Sequence, residues 1–392
     1  MTPRGEVIGS LMNDRFAAER VGQKTSDYTL LALLTLLLGL GLSTLFSASY
    51  YTGTRLFNNA EYFFYHQLVY VAAGLVFSFI LSRISLDLVR RAIPALVFIT
   101  LLLVLLTFVP GLSIEVLGAR RWIRMFGYTF QPSELVKLTI ILYLAHVLAK
   151  KEDRVSDLTT GVIPPLLVAL CFVALVYLQN DFSTAVFILF LSLSMFYVGR
   201  IRIAHFSLLA LILFPLSGLL LFAKEHRVVR FLAFWDPNSD PLGRGYQIAA
   251  SQTALVHGGL WGRGFGRGTR KFGELPEVHS DFVFAIVGEE AGFIGVVFIL
   301  ALFLAFAVKG YMVGFVSKDR FGYYLAFGIT TYILFQGLFN IAVVAGLVPA
   351  TGIPLPFFSS GGSSILVTLA GCGLIMNLSR QSLRRREYPG HE

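Results

Sequence analysis

The sequence predicts an all-α integral membrane protein with ten transmembrane helices and a large outer loop between the seventh and the eighth. Three observations carry that expectation. The 392 residues are 56% hydrophobic and only 14% charged, with a mean hydropathy of +0.72, far from the composition of a water-soluble domain. The apolar residues fall into runs of about 20, the length a helix needs to cross a bilayer. Lys and Arg gather in alternate links between those runs, which gives them an orientation.

In chain order, residues 1–27 form a polar tail with Arg4, Arg15, Arg20 and Lys24. No small-residue cleavage site follows a short apolar core, so no cleaved signal peptide is expected. Apolar runs then lie near 28–50, 61–82, 90–109, 133–149, 159–178, 182–199, 203–223, 281–309, 322–347 and 361–379, within a membrane domain over 28–380, and 381–392 form a second tail. An even number of spans returns both termini to one side. The basic links from Arg83 to Arg91, Lys150 to Arg154, Arg200 to Arg202, Lys309 to Arg320 and Arg384 to Arg386 fall on that same side, which is therefore expected to be cytoplasmic. Cys171 and Cys372 each sit inside an apolar run, the setting of small core residues and not of a disulfide framework.

The opposite face carries three larger segments, 110–132, 224–280 and 348–360. They break the positive-inside trend. Arg120, Arg121 and Arg124 lie in the first, and Lys224, Arg227, Arg230, Arg244, Arg263, Arg267, Arg270 and Lys271 in the second. A basic outer surface beside apolar helix ends suits an anionic lipid headgroup, where each cation contributes on the order of 1 kcal/mol. A lipid diphosphate fits that description. Neither internal repeats nor inverted halves are visible, which disfavours a carrier.

Within these segments the first constellation is Gly118 to Ile123, followed by Gln131 to Lys137. Arg120 and Arg121 offer planar forks for phosphate oxygens, and Trp122 suits a membrane interface. Pro132, Ser133 and Glu134 read equally well as a helix N-terminus. Glu134 and Lys137 share a helix face inside an apolar span, which means either a functional site or an internal ion pair. Asp181, after Gln179 and Asn180, can bind a cation or cap the next helix.

The glycine run from Gly258 to Gly268 has neither a preceding strand nor a following Lys-Ser/Thr pair, which excludes a nucleotide loop. Its backbone donors can instead wrap a sugar diphosphate. Asp281 falls where the polar loop turns into the eighth span, beside low-dielectric walls that favour a base, or where it caps a helix. His279 either acts with it or hydrogen-bonds, and one of Glu289 and Glu290 is expected to pair with a buried cation. Finally Pro349, Pro354 and Pro356 force an extended loop. Ser359, Ser360, Gly361, Gly362 and Ser363 then open the tenth helix as an anion site or simply a tight entry.

The ordered set of Gly118 to Ile123, Gln131 to Glu134, Gly243 to Gln247, Pro276 to Gly288 and Pro354 to Ser364 resembles the SEDS family (shape, elongation, division and sporulation), which includes FtsW, RodA and SpoVE. The resemblance spans residues 28 to 380, and Gly288-Glu289-Glu290 looks closer to FtsW than to RodA. It implies a multi-pass protein of the bacterial inner membrane that polymerises lipid II into β-1,4-linked glycan at the periplasmic face, for division or cell shape. The implied reaction inverts the sugar and releases undecaprenyl diphosphate. The implied partners are a class B penicillin-binding protein, acting as transpeptidase, and other divisome or elongasome membrane proteins, with no nucleic acid. Asp281 stands where the family has its required carboxylate and is expected to be catalytic. Arg120, Arg121, Trp122, Glu134, Lys137, Arg244, His279, Ser359, Ser360, Gly361, Gly362 and Ser363 are expected to bind substrate, with a divalent cation as an optional aid. Ser280 and Ser360 replace the family's usual Thr and Tyr, and Asn180 and Ser183 its usual Pro and Gly. A lipid II flippase and a non-catalytic divisome scaffold are the competing readings. The functional residues collect on one face, with few charges at mid-bilayer beyond Lys137, Glu289 and Glu290, which favours surface chemistry.

Overall fold

The computed structural model describes residues 4–116, 119–125, 127–151, 157–236, 244–272 and 280–387. His279 and Gly118 lie outside the described residues, as does the side chain of Arg244. The helices are α1 (Arg4–Phe57), α2 (Tyr62–Arg83), α3 (Leu86–Leu106), α4 (Pro132–Lys150), α5 (Ile163–Leu178), α6 (Phe182–Val198), α7 (Ile203–Phe222), α8 (Glu225–Trp235), α9 (Arg244–Gly258), α10 (Val283–Val316), α11 (Arg320–Val344) and α12 (Gly362–Glu387). Nine helical spans among the described residues are long and apolar enough to cross a membrane. The remaining predicted run is α6, an apolar helix of 17 residues, about 26 Å long at the rise of an α-helix.

Local signals set many of the ends. Ser85 caps α3 by accepting from Leu88 N, Asp319 caps α11 by accepting from Phe321 N, and Pro132 opens α4 where a missing N–H costs nothing. The core lies around α4, α11 and α12, which are mostly buried, whereas α7 buries only Leu213 and leaves most of its other apolar side chains exposed. Lipid is the natural solvent for such a surface.

The all-α expectation needs correction at 110–132. This segment folds as an antiparallel sheet of β1 (Ser113–Val116), β2 (Ala119–Met125) and β3 (Tyr128–Phe130), in the order β1-β2-β3. The reason is a period-two pattern within β2. Ala119, Arg121 and Ile123 face inward, while Arg120 and Arg124 are exposed. Gly127, at φ 83, makes the turn that brings Tyr128 opposite Met125.

The long segment 224–280 holds α8 and α9, and α9 packs against α10. With 34 residues, α10 is longer than a bilayer requires, and it is broken at Gly292, where φ is 66 and ψ −167. A break leaves backbone groups without partners in a low-dielectric setting, so they must be paired within the protein. The glycine run does this. Arg263 N and Gly264 N donate to Glu289 O and Glu290 O at 3.0 Å each, while Phe293 N donates to Gly259 O at 2.9 Å and Ile294 N to Leu260 O at 3.2 Å. A Cβ on Gly258 would stand 1.9 Å from Gly288 O, and one on Gly262 would stand 2.2 Å from Glu290 O. Side chains lock the same joint. Lys271 Nζ pairs with Glu290 Oε1 at 2.7 Å and donates to Ser47 Oγ on α1, while Glu289 accepts from the amides of Thr269 and Arg270. The expected pairing of one of these glutamates with a buried cation is thus Glu290 with Lys271.

Candidate active site

At one end of the bundle, a cavity of about 310 Å³ opens between β2, α6, α8, α11 and the 348–353 loop. Its polar side is built by β2 and the start of α6. Asp181 caps α6, accepting from Thr184 N at 3.4 Å. The same oxygen, Oδ1, lies 3.7 Å from Arg121 Nη1, and Gln131 Nε2 donates to Oδ2 at 3.2 Å. Arg121 also donates to Asn180 O. Asp181 is therefore cap and ion-pair partner at once. Asn180 has φ 63, a conformation closed to proline, so the backbone here cannot accept the residue usual at this position.

Arg120 turns the other way. Its guanidinium is exposed and pairs with Glu115 Oε2 at 3.0 Å. Adjacent residues on a strand project to opposite faces, so Arg120 and Arg121 do not close on one ligand as a single clamp. Trp122, half-buried, shares the face of Arg120.

Gln131 joins this side to the start of α12, because its amide donates to Ser363 Oγ at 2.8 Å. Below it lies a buried polar layer. Lys137 Nζ pairs with Glu134 Oε1 at 2.8 Å and donates to Gln336 Oε1 at 2.7 Å, and Gln336 in turn donates to Pro354 O and Ser364 Oγ. Both charged side chains are almost fully buried, so the internal ion pair is present and each charge lies beside an opposite one.

Asp281 stands half-buried one residue before Phe282 and α10. Two bonds fix its segment: Asn340 Nδ2 donates to Asp281 O at 2.8 Å, and Ser359 Oγ donates to Ser280 O at 2.5 Å. Asn340 also donates to Ile353 O, which ties the segment to the 348–353 loop. Asp281 Oδ2 lies 3.8 Å from where a Cβ on Gly352 would be, and Gly352 is exposed and lines the cavity. The carboxylate therefore lies next to a residue of the cavity lining, with no side chain on Gly352 between them.

The cluster opening α12 is mostly engaged internally. Ser359 also accepts from Leu355 N, and a Cβ on Gly362 would meet the Tyr70 ring at 2.4 Å, so that glycine is there to let α2 approach. Ser360 and Gly361 remain partly exposed. The glycine run at 258–268 lends its backbone to the α10 break, as described above, and not to an open loop. Among the described residues no group of three or more His, Cys, Asp or Glu side chains converges as a metal cluster.

This arrangement can be set beside known proteins. The sequence pattern of the FtsW/RodA/SpoVE family, described as a cell cycle protein, matches residues 28–384. The chain belongs to this family. It is 39% identical over 350 residues to the probable peptidoglycan glycosyltransferase FtsW of Borreliella burgdorferi, covering 89% of this chain and 95% of that one. It is 37% identical to the stage V sporulation protein E of Bacillus subtilis, covering 92% and 99%. Its fold matches a solved peptidoglycan synthase complex, described as coordinating polymerization and crosslinking, with a TM-score of 0.74 and 28% identity over 91% of this chain and 98% of that one. It also matches the rod shape determining protein RodA of Thermus thermophilus, with a TM-score of 0.66 and 26% identity over 90% and 96%.

Sequence reasoning missed Asn340, Gln336 and Thr351. A signal was available for the first two, since uncharged polar side chains within an apolar span need partners. Arg227 was counted only as one loop cation. Its burial, with its guanidinium 4.4 Å from the Tyr177 ring centroid, follows from the docking of α8 and is absent from the sequence.

Proposed function

We propose that this member of the FtsW/RodA/SpoVE family polymerises lipid II at the periplasmic face of the bacterial inner membrane, with ten membrane spans, both termini cytoplasmic and a class B penicillin-binding protein as transpeptidase partner. The observation that carries the reading is Asp281 beside Gly352, a residue lining a cavity that also presents Arg121, Asp181 and several phenylalanines. Relatives named as peptidoglycan glycosyltransferases support it, as does the fold shared with the peptidoglycan synthase complex.

In the proposed reaction Asp281 accepts the proton of the acceptor sugar's 4-hydroxyl. That oxygen forms a bond to the anomeric carbon of the donor, and the bond from that carbon to the diphosphate oxygen breaks, its electron pair leaving with the lipid diphosphate. One base and one opposed anion site are sufficient for this single displacement with inversion. In this reading Arg121 stabilises the departing charge. The flippase reading is less well supported, because the buried charges Lys137 and Lys271 are each paired with a glutamate and do not mark a polar route through the described residues. The test is the purified protein with fluorescent lipid II, alone and with its transpeptidase partner. Glycan strands are expected; lipid II moving between leaflets without any polymer would refute the proposal.

A further inference from the structure

We infer that Arg227, assisted by Arg121 and Thr351, is the main holder of the diphosphate group of a polyprenyl-linked substrate in this cavity; the lipid linkage rests on the function proposed above. Arg227 lies in the first turn of α8 and is 4% exposed. One of its N–H groups is used, Nη1 donating to Leu220 O at 2.9 Å, and its guanidinium lies over the rings of Tyr177 and Phe182. Nε and Nη2 are buried with no hydrogen-bond partner. A buried cation with unmade bonds is costly unless something supplies the acceptors.

Two further residues of the same cavity also lack acceptors. Arg121 Nε and Thr351 Oγ1 are also buried and unpartnered, and both residues line the cavity that Arg227 lines. Of twelve such atoms among the described residues, four belong to these three side chains, and all four can donate. They therefore define a site for an acceptor-rich anion. Three guanidinium groups, from Arg121, Arg227 and Arg230, against the one carboxylate of Asp181 give the lining a formal charge of +2. A diphosphate joining a sugar to a lipid carries about two negative charges, and its oxygens match the planar forks of arginine. The remaining wall is apolar, with Phe187, Phe190 and Phe339, which suits the first isoprene units of the lipid and favours such a ligand over a purely polar one. Gly352, next after Thr351, brings the same loop within reach of Asp281, so one loop connects the anion site to the proposed base.

The test is direct binding of farnesyl diphosphate, a short polyprenyl diphosphate, to the full-length protein purified in detergent. Arg227→Ala is expected to weaken binding by about tenfold or more, as loss of a charge-assisted pair does. Arg227→Lys should recover part of the loss, since charge returns without the fork. Arg124→Ala, on the exposed face of β2, should bind as wild type. Inorganic pyrophosphate should bind more weakly than farnesyl diphosphate, and equal affinities would overturn the lipid assignment. An Arg227→Ala protein that melts and binds like wild type overturns the site. If Arg227→Ala loses its melting transition, Arg227→Lys and Thr351→Val take its place, and wild-type binding by both overturns the site equally. Binding requires no polymerisation, so the two proposals fail separately. Binding dependent on Arg227 in a protein that makes no glycan sinks the catalytic reading, and glycan synthesis with binding independent of Arg227 sinks this one.

Discussion

Arg120 and Arg121 are neighbours in sequence and strangers in space, because β2 sends successive side chains to opposite faces. Arg120 is half-exposed and paired with Glu115, an interaction worth about 0–1 kcal/mol. Arg121 faces Asp181 inside the cavity wall. Arg121→Ala is therefore expected to reduce glycan synthesis at least tenfold more than Arg120→Ala does, measured on fluorescent lipid II; equal losses would return both arginines to one clamp. For Asp281, the Asn variant keeps shape and most hydrogen bonds but cannot take the proton. The expected loss of rate is about 10²–10⁴-fold, with the melting temperature retained. A helix-cap role predicts the opposite, since Asn caps about as well as Asp. Near wild-type polymerisation by Asp281→Asn would show that the carboxylate is not the base.

The element that most needs the tertiary structure is α10. Its break at Gly292 survives because the backbone of residues 259–264 supplies the hydrogen bonds that the helix gives up, and because Lys271 and Glu290 hold the two together beside Ser47 of α1. Removing one member of a buried pair strands the other charge. Lys271→Ala should then destabilise by about 3–5 kcal/mol, read as a clear fall in the thermal transition in detergent, and Lys271→Ala with Glu290→Gln should recover part of it. Gly262→Ala meets two obstacles, a φ of 78 and Glu290 O at 2.2 Å from the added methyl, and should lower the same transition. If both single variants melt as wild type, the joint does not hold α10.

At the scale of the whole molecule, the cavity, the α10 joint, the sheet and the start of α12 all gather at one end of the bundle, linked by bonds such as Gln131 to Ser363 and Tyr70 to Thr129. The other end carries the basic links, with Arg90 paired to Asp319 and Arg380 donating to Ser82 O. Proposed topology puts the first end outside the cell membrane. A cysteine at the exposed position 267 (Arg267→Cys) should be labelled by a membrane-impermeant maleimide in intact cells with an opened outer envelope, and one at exposed position 318 (Lys318→Cys) only after the inner membrane is permeabilised. The reverse pattern would invert the orientation and the site with it.

The sequence alone determined the membrane class, the apolar runs that became helices and the place of Asp281 at a loop-to-helix junction. These depend on composition, run length and local signals, which are readable one segment at a time. The Lys137–Glu134 pair was legible for the same reason, being one turn apart on a single helix. The sheet at 113–130 was visible only as a short period-two alternation within β2, overshadowed by apolar runs on both sides. What only the tertiary structure decided are contacts between distant segments: Arg121 with Asp181, Asn340 with Asp281, the glycine run with the α10 break, and Arg227 buried over Tyr177 and Phe182. A cation in a polar loop looks solvated in one dimension. Its burial, and the hydrogen bonds it still lacks, depend on which surfaces pack around it, and that is fixed by packing among helices and not by the residues beside it in the chain.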